Sequence, residues 1–284
     1  MTERGIPSLF AGICDDAAIF PPGLAPLPEA VDTHVRNLDT WFAALTGPLV
    51  VPAAALADLQ PLLAQVPHRA GGTADLGLAV TLPGGPAELP KVLASGLPIH
   101  SLEIALPAGI GVTELLDRLG DVDVPVFVEV PRDGRRDVLL SALTGTPYRA
   151  KFRTGGVRAE LYPDAAELAD GVHASVTTGV PFKATAGLHH AVRNTDPDTG
   201  FVQHGFLNLM VAASAAASGR SAADLVPLLE ERDPETVADW VGGLDAGDAR
   251  TWFVSFGTCS ITDPLNELTQ LGLITAPETE GVLA

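Results

Sequence analysis

Lysine is nearly missing from this 284-residue chain: three occur, against 14 arginines. Arginine supplies almost all the positive charge, so most lysines had an available substitute, and each remaining one stands out. The two cysteines, Cys14 and Cys259, exclude a disulfide framework. Either they stay as reduced, half-buried thiols, or they approach each other if the ends of the chain close a barrel. No uninterrupted apolar stretch approaches about 20 residues, so no membrane-spanning helix is expected. Residues 1–20 carry one basic residue and meet Asp15 and Asp16 before any long apolar run. They do not read as a secretory signal, and the cytoplasm is the expected compartment. Positive charge as a whole is scarce, with 17 Lys and Arg against 35 Asp and Glu and a net −18. That balance excludes nucleic acid and anionic membrane as partners and leaves a small-molecule substrate. No GxGxxG follows a predicted strand, which disfavours a dinucleotide-binding fold, and no HxH or HExxH spacing marks a metal site.

What is present is a rhythm. From residue 48, short apolar runs recur about every 25 residues, at 49–53, 76–82, 100–106, 124–130, 149–154, 181–186 and 252–257. Amphipathic stretches with apolar residues at i, i+3 and i+4 lie between them. Such alternation predicts parallel strands joined by crossover helices. A further strand in residues 11–20 brings the count to eight, the number for a single-domain (β/α)8 barrel. Residues 198–245 break the rhythm and read as a helical insertion before the last strand. It is expected either near the active face or as added bulk.

Strand alternation then selects what faces the barrel axis. Glu129 shares a face with Pro125 and Phe127, Lys151 with Arg153, Lys183 with Thr185, and Glu103 with Ser101 and Ala105. Ionisable groups inside apolar strands are costly unless paired or used. A structural salt network is one account; an active site at the C-terminal ends of the strands is the other. Two neighbouring lysines in such a place are expected to lower the pKa of at least one through repulsion and desolvation. A neutral amine can attack a carbonyl and form a Schiff base, which arginine cannot. The second lysine, or Glu129 through water, would move the proton. The segments Thr154-Gly155-Gly156, Gly187 and Gly257-Thr258-Cys259-Ser260 end the last three strands, where backbone N–H groups commonly cradle an anion.

These motifs together resemble the deoxyribose-phosphate aldolase family, at a distance. KFRTG (151–155) is similar to the family's K-T-S-T-G, KATAG (183–187) to its K-A-S-G-G, and GTCS (257–260) to its G-T-S-S. The two lysines are 32 residues apart, about as in the family. The resemblance spans roughly 49–187 and 252–260. It implies a class I aldolase on a (β/α)8 barrel with no cofactor. Lys151 would form the imine, Lys183 would be its neighbour, and the late glycine loops would hold phosphate. The chain departs from the family where its E-I-D has Asp, for Ala105 stands there; Glu103 or Glu129 would substitute. Arg153 replaces a small residue, and Leu188-His189-His190 follows the second motif.

His189, His190, His204 and Asn208, together with Asp16, complete the candidate substrate-binding groups. Asp15 and Asp16 have two readings, capping acids of an N-terminal loop beyond the first strand or members of an active site. His189 or His190 with His204, Glu129 and Asp16 would be the donors if a metal were used. His34 and Arg36 read as a solvated helix face. Three functions stay open: a Schiff-base lyase acting on a small carbonyl metabolite, phosphorylated or not; a metal-assisted or acid–base isomerase or hydrolase; and a non-catalytic metabolite-binding barrel. A homo-oligomer also stays open.

Overall fold

A computed structural model describes residues 5–66 and 76–277. Among these residues eight parallel strands close a barrel: β1 (Cys14–Asp16), β2 (Thr46–Pro52), β3 (Leu78–Leu82), β4 (Ile99–Ile104), β5 (Val126–Glu129), β6 (Arg149–Arg153), β7 (Phe182–Thr185) and β10 (Phe253–Thr258). The remaining pair, β8 (Asn194–Thr195) and β9 (Val202–Gln203), forms an antiparallel hairpin in the loop after β7. β1 and β10 pair in parallel, with Asp15 opposite Gly257, and this pairing closes the ring. The (β/α)8 architecture expected from the rhythm is therefore the fold.

A helix follows each barrel strand, and for all but β10 the chain then runs on to the next strand of the ring. The helix after β6, Ala165–Thr177, begins where Asp164 accepts a 2.8 Å bond from the amide of Glu167. Residues 198–245 divide differently from the expectation. Their first helix, Phe206–Ala217, is the barrel's own seventh crossover helix, buried on almost every face. Helices Ala222–Glu230 and Pro234–Gly242 are the added ones. They start at a Ser221–Asp224 capping box and at Asp233 ahead of Pro234, and they cover the outside of Phe206–Ala217. Among the described residues, no helix is long and apolar enough to cross a membrane.

Packing outside the barrel is apolar. Phe152, Phe182 and Phe253 join neighbouring strands at ring separations of 5.3 and 5.6 Å, and Phe206 stacks on Phe256 at 4.5 Å. One polar pair is sealed into this layer. Asp16 points away from the barrel axis and accepts from His34 Nδ1 at 2.9 Å; His34 is only 1% exposed. Two expectations are corrected here. His34 is not on a solvated face, because its helix turns it inward onto β1, and Asp16 is not a substrate group, because alternation aims Asp15 at the axis instead. Arg36, bonded to Thr33 Oγ1 at 2.7 Å, is on the surface side as expected.

His34→Leu should leave the Asp16 carboxylate buried with only the Ala18 amide at 3.3 Å. Urea unfolding should then show a loss of about 3 kcal/mol. A loss below about 0.5 kcal/mol would mean that the pair does not hold β1 to its helix.

Candidate active site

Inward-facing residues form a stack of side chains along the barrel axis, and small ones near the C-terminal ends of the strands leave space. Ala17, Val50, Thr81, Ala105 and Gly257 give up volume there, and a cavity of about 550 Å³ opens at that end. This volume is within the range of small-molecule sites, at the end where barrel enzymes work. Glu103, Glu129, Lys151, Arg153, Gly156, Thr185 and His189 are also on its wall.

From the cavity wall downward the charges interlock. Register places Glu129 beside Lys151, and Lys151 beside Lys183. Lys151 Nζ donates to Glu103 Oε2 at 3.2 Å and lies 2.9 Å from Glu129 Oε2. Lys183 Nζ donates to the other oxygen of Glu103 and, at 2.5 Å, to Asp15 Oδ2. Glu103 therefore joins the two ammonium groups directly. Ser255 Oγ donates to Asp15 at 2.7 Å, and Arg153 Nε donates to Glu129 at 3.1 Å. Three carboxylates thus face three cations. Lys183, 1% exposed, is closed off beneath the cavity, and its Nζ lies 5.3 Å from the centre of the Phe127 ring.

The protonation states follow from this pairing. Burial alone would raise Glu103, but the ammoniums of Lys183 and Lys151 outweigh it and hold its pKa at about 2. Glu129 is likewise drawn down to about 2, against burial, by Lys151 and Arg153. Burial pushes Asp15 up, opposed by Lys183 and Ser255. Lys183 reverses the expectation of a weakened amine. Burial would lower its pKa, but Asp15 and Glu103 prevail and raise it. The repulsion foreseen between two adjacent lysines is cancelled by the carboxylate placed between them.

Of the other expected groups, several serve the scaffold. Thr154 Oγ1 donates to the Ala186 carbonyl at 2.6 Å, bracing Ala186 at φ 63°. Gly155 and Gly187 exist for close approach: a Cβ on Gly155 would come within 2.6 Å of the Tyr162 ring and 2.9 Å of the Gly187 Cα. Thr258 Oγ1 donates to the Ser260 carbonyl at 3.0 Å, and Ser260 Oγ is 3.1 Å from Thr262 Oγ1. His190 leaves the cavity for Glu267, at 2.6 Å. His204 bonds the Pro163 carbonyl at 2.8 Å and Arg193 at 3.0 Å, while Asn208 Nδ2 donates to the Leu228 carbonyl at 2.8 Å. Both are buried braces under the added helices, away from the cavity. None of these residues lines the cavity, so their assignment to substrate binding is corrected. The donors considered for a metal are divided: Glu129 and His189 are on the cavity wall, while His204 and Asp16 are buried elsewhere. Among the described residues, no three His, Cys, Asp or Glu side chains are grouped to hold a metal ion.

Ser255 was not foreseen as a member of the network, and of the two acids at the first strand it is Asp15 that faces the axis. Cys259 was likewise unassigned. It lines the cavity with its thiol 3.5 Å from His189 Nδ1, while Cys14 is buried in β1; both are free. Comparison of the chain with protein-family models, curated proteins and solved structures finds no match.

Glu129 titrates from an ordinary 4.5 to about 2 on folding, so its contribution to stability is complete above about pH 4.5 and disappears as pH falls toward 2. The acid-side decline of the urea midpoint should be shallower in Glu129→Gln than in the parent. Parallel declines would show that its ion pairs add nothing to folding.

Proposed function

We propose that this protein is a lysine-dependent lyase that forms a Schiff base between Lys151 and a small carbonyl compound. One observation carries the reading: Lys151 is the lysine on the cavity wall, and its amine is flanked by Glu103 and Glu129. In this mechanism the ammonium passes a proton to water at Glu129, the flanking carboxylate nearer solvent, which its ion pairs keep ionised. The freed amine adds to the carbonyl carbon, and the resulting carbinolamine loses water to give an iminium ion. In a β-hydroxy carbonyl substrate that cation draws electrons from the bond between the α and β carbons; the bond breaks to an enamine and an aldehyde as the β-hydroxyl proton passes to water at Glu129, and the reverse steps form it. The iminium keeps the charge of the ammonium it replaces, so the same two carboxylates stabilise it without rearranging. Lys183, locked as a cation under Glu103, has a positioning role here and does not shuttle the proton.

The cavity wall bears on the substrate class. Phe20, Val50, Pro52, Leu82, Val157 and Leu161 make much of it apolar, and its cations, Lys151 and Arg153, already face carboxylates. An uncharged, largely apolar aldehyde or ketone fits this better than a phosphorylated one.

A second reading uses the same groups without an imine. An ammonium held by two carboxylates can itself donate a proton to a developing enolate, as in an isomerase.

Borohydride reduction in the presence of short aliphatic and aromatic aldehydes and ketones separates the two. Trapped mass is expected on Lys151 and is expected to vanish in Lys151→Arg, which keeps the charge but cannot form an imine. Proton exchange into the substrates without any trapped adduct would favour the second reading. Among trapped compounds, apolar aldehydes should react with higher kcat/KM than phosphorylated ones; the reverse order would overturn the substrate class.

A further inference from the structure

The opposite end of the barrel holds a second, smaller cavity of about 220 Å³. Its wall comes from the N-terminal halves of the strands, with Arg149, Ser101, Phe127, Asp15 and Ser255, and from the helix Ala246–Trp252 that precedes β10, with Arg250. We propose that this cavity is a binding site for a small oxyanion, inorganic phosphate or the phosphate or carboxylate group of a small metabolite, clamped between Arg149 and Arg250.

The case rests on unmatched charge. This chain carries twice as many acids as bases, and six of its arginines (118, 132, 135, 136, 153 and 158) form ion pairs with carboxylates. Arg149 and Arg250 form none among the described residues. Arg149 lies 5.5 Å from the centre of the Phe127 ring, and Arg250 reaches only the Leu9 carbonyl at 3.5 Å. The one acid on the wall, Asp15, is already engaged by Lys183 and Ser255. The cavity therefore keeps net positive charge inside a strongly acidic protein.

Burial pushes Arg250 below its usual pKa, and the nearby Asp15 carboxylate only partly opposes it. An oxyanion would supply that charge through charge-assisted hydrogen bonds to a guanidinium fork. The Ser101 hydroxyl, which makes no hydrogen bond among the described residues, offers a further donor on the wall. A volume below the roughly 300 Å³ of ordinary ligand pockets selects a small anion. The two ends of the barrel thus differ in kind: cations in the upper cavity are matched by carboxylates, and those in the lower one are not.

Isothermal titration of the full chain with inorganic phosphate, and separately with acetate, at low ionic strength tests this. Saturable one-to-one binding is expected for at least one of the two anions. Arg149→Gln and Arg250→Gln should each weaken it about 10- to 100-fold, with Ser101→Ala weakening it less. Circular dichroism checks that each variant is folded, and if one arginine variant fails to fold the other decides. Lys151→Met, which removes the amine at the other end, should bind the anion as the parent does. The site is overturned if neither anion binds the parent, if the folded arginine variants bind unchanged, or if Lys151→Met abolishes binding. The imine reading does not depend on any of these outcomes.

Discussion

The carboxylate of Glu103, shared between two buried lysines, is the interaction on which the centre of this barrel depends. Two ammonium groups at neighbouring positions of adjacent parallel strands would repel each other strongly in a region from which water is excluded. With one oxygen of Glu103 on each, the repulsion becomes a chain of attractions, continued by Asp15 below and Glu129 above. Such a cluster is a poor substitute for apolar packing as a source of stability. Its value is in positioning, because each side chain in it is restrained by a neighbour of opposite charge.

The surrounding sequence is arranged to permit this cluster. Parallel strands place inward residues in register, so acids on β1, β4 and β5 and lysines on β6 and β7 meet without any loop contributing. Small inward residues above the cluster open the cavity, and the ring of Phe127 borders it below. Phenylalanines on the outer faces of β6, β7 and β10 fix those strands against helices, so the lysines have little freedom to turn away. Rigid strands therefore hold the Lys151 amine at a fixed position on the cavity wall.

The reversal at Lys183 shows how a sound local rule can give the wrong sign. Desolvation and a like-charged neighbour both weaken an amine's hold on its proton, and both are present. Two carboxylates in direct contact nevertheless outweigh them. Only Lys151, at the cavity wall, has both exposure to a substrate and an adjacent acid that also reaches the cavity. The two amines thus differ in place: one borders the cavity, and the other is sealed beneath it against the shared carboxylate.

Much of the scaffold was legible in the amino-acid order, because strand and helix periodicities are local properties and regular alternation leaves few ways to close a parallel sheet. The inward faces of Glu103, Glu129, Lys151 and Lys183 could be read for the same reason: side chains alternate strictly along a strand. The partners could not. Asp15 and Lys183 are 168 residues apart, and their contact exists only because β1 and β10 pair to close the ring. His204 and Asn208 looked like ligands because polar residues in an apolar helix invite that reading. Packing decided otherwise: His204 bonds the Pro163 carbonyl ahead of the helix after β6, and Asn208 bonds the Leu228 carbonyl of an added helix. Periodicity thus determined the barrel and the direction each side chain faces. Closure in three dimensions decided which charges meet, because the distance between two side chains on different strands is set by register and not by sequence separation.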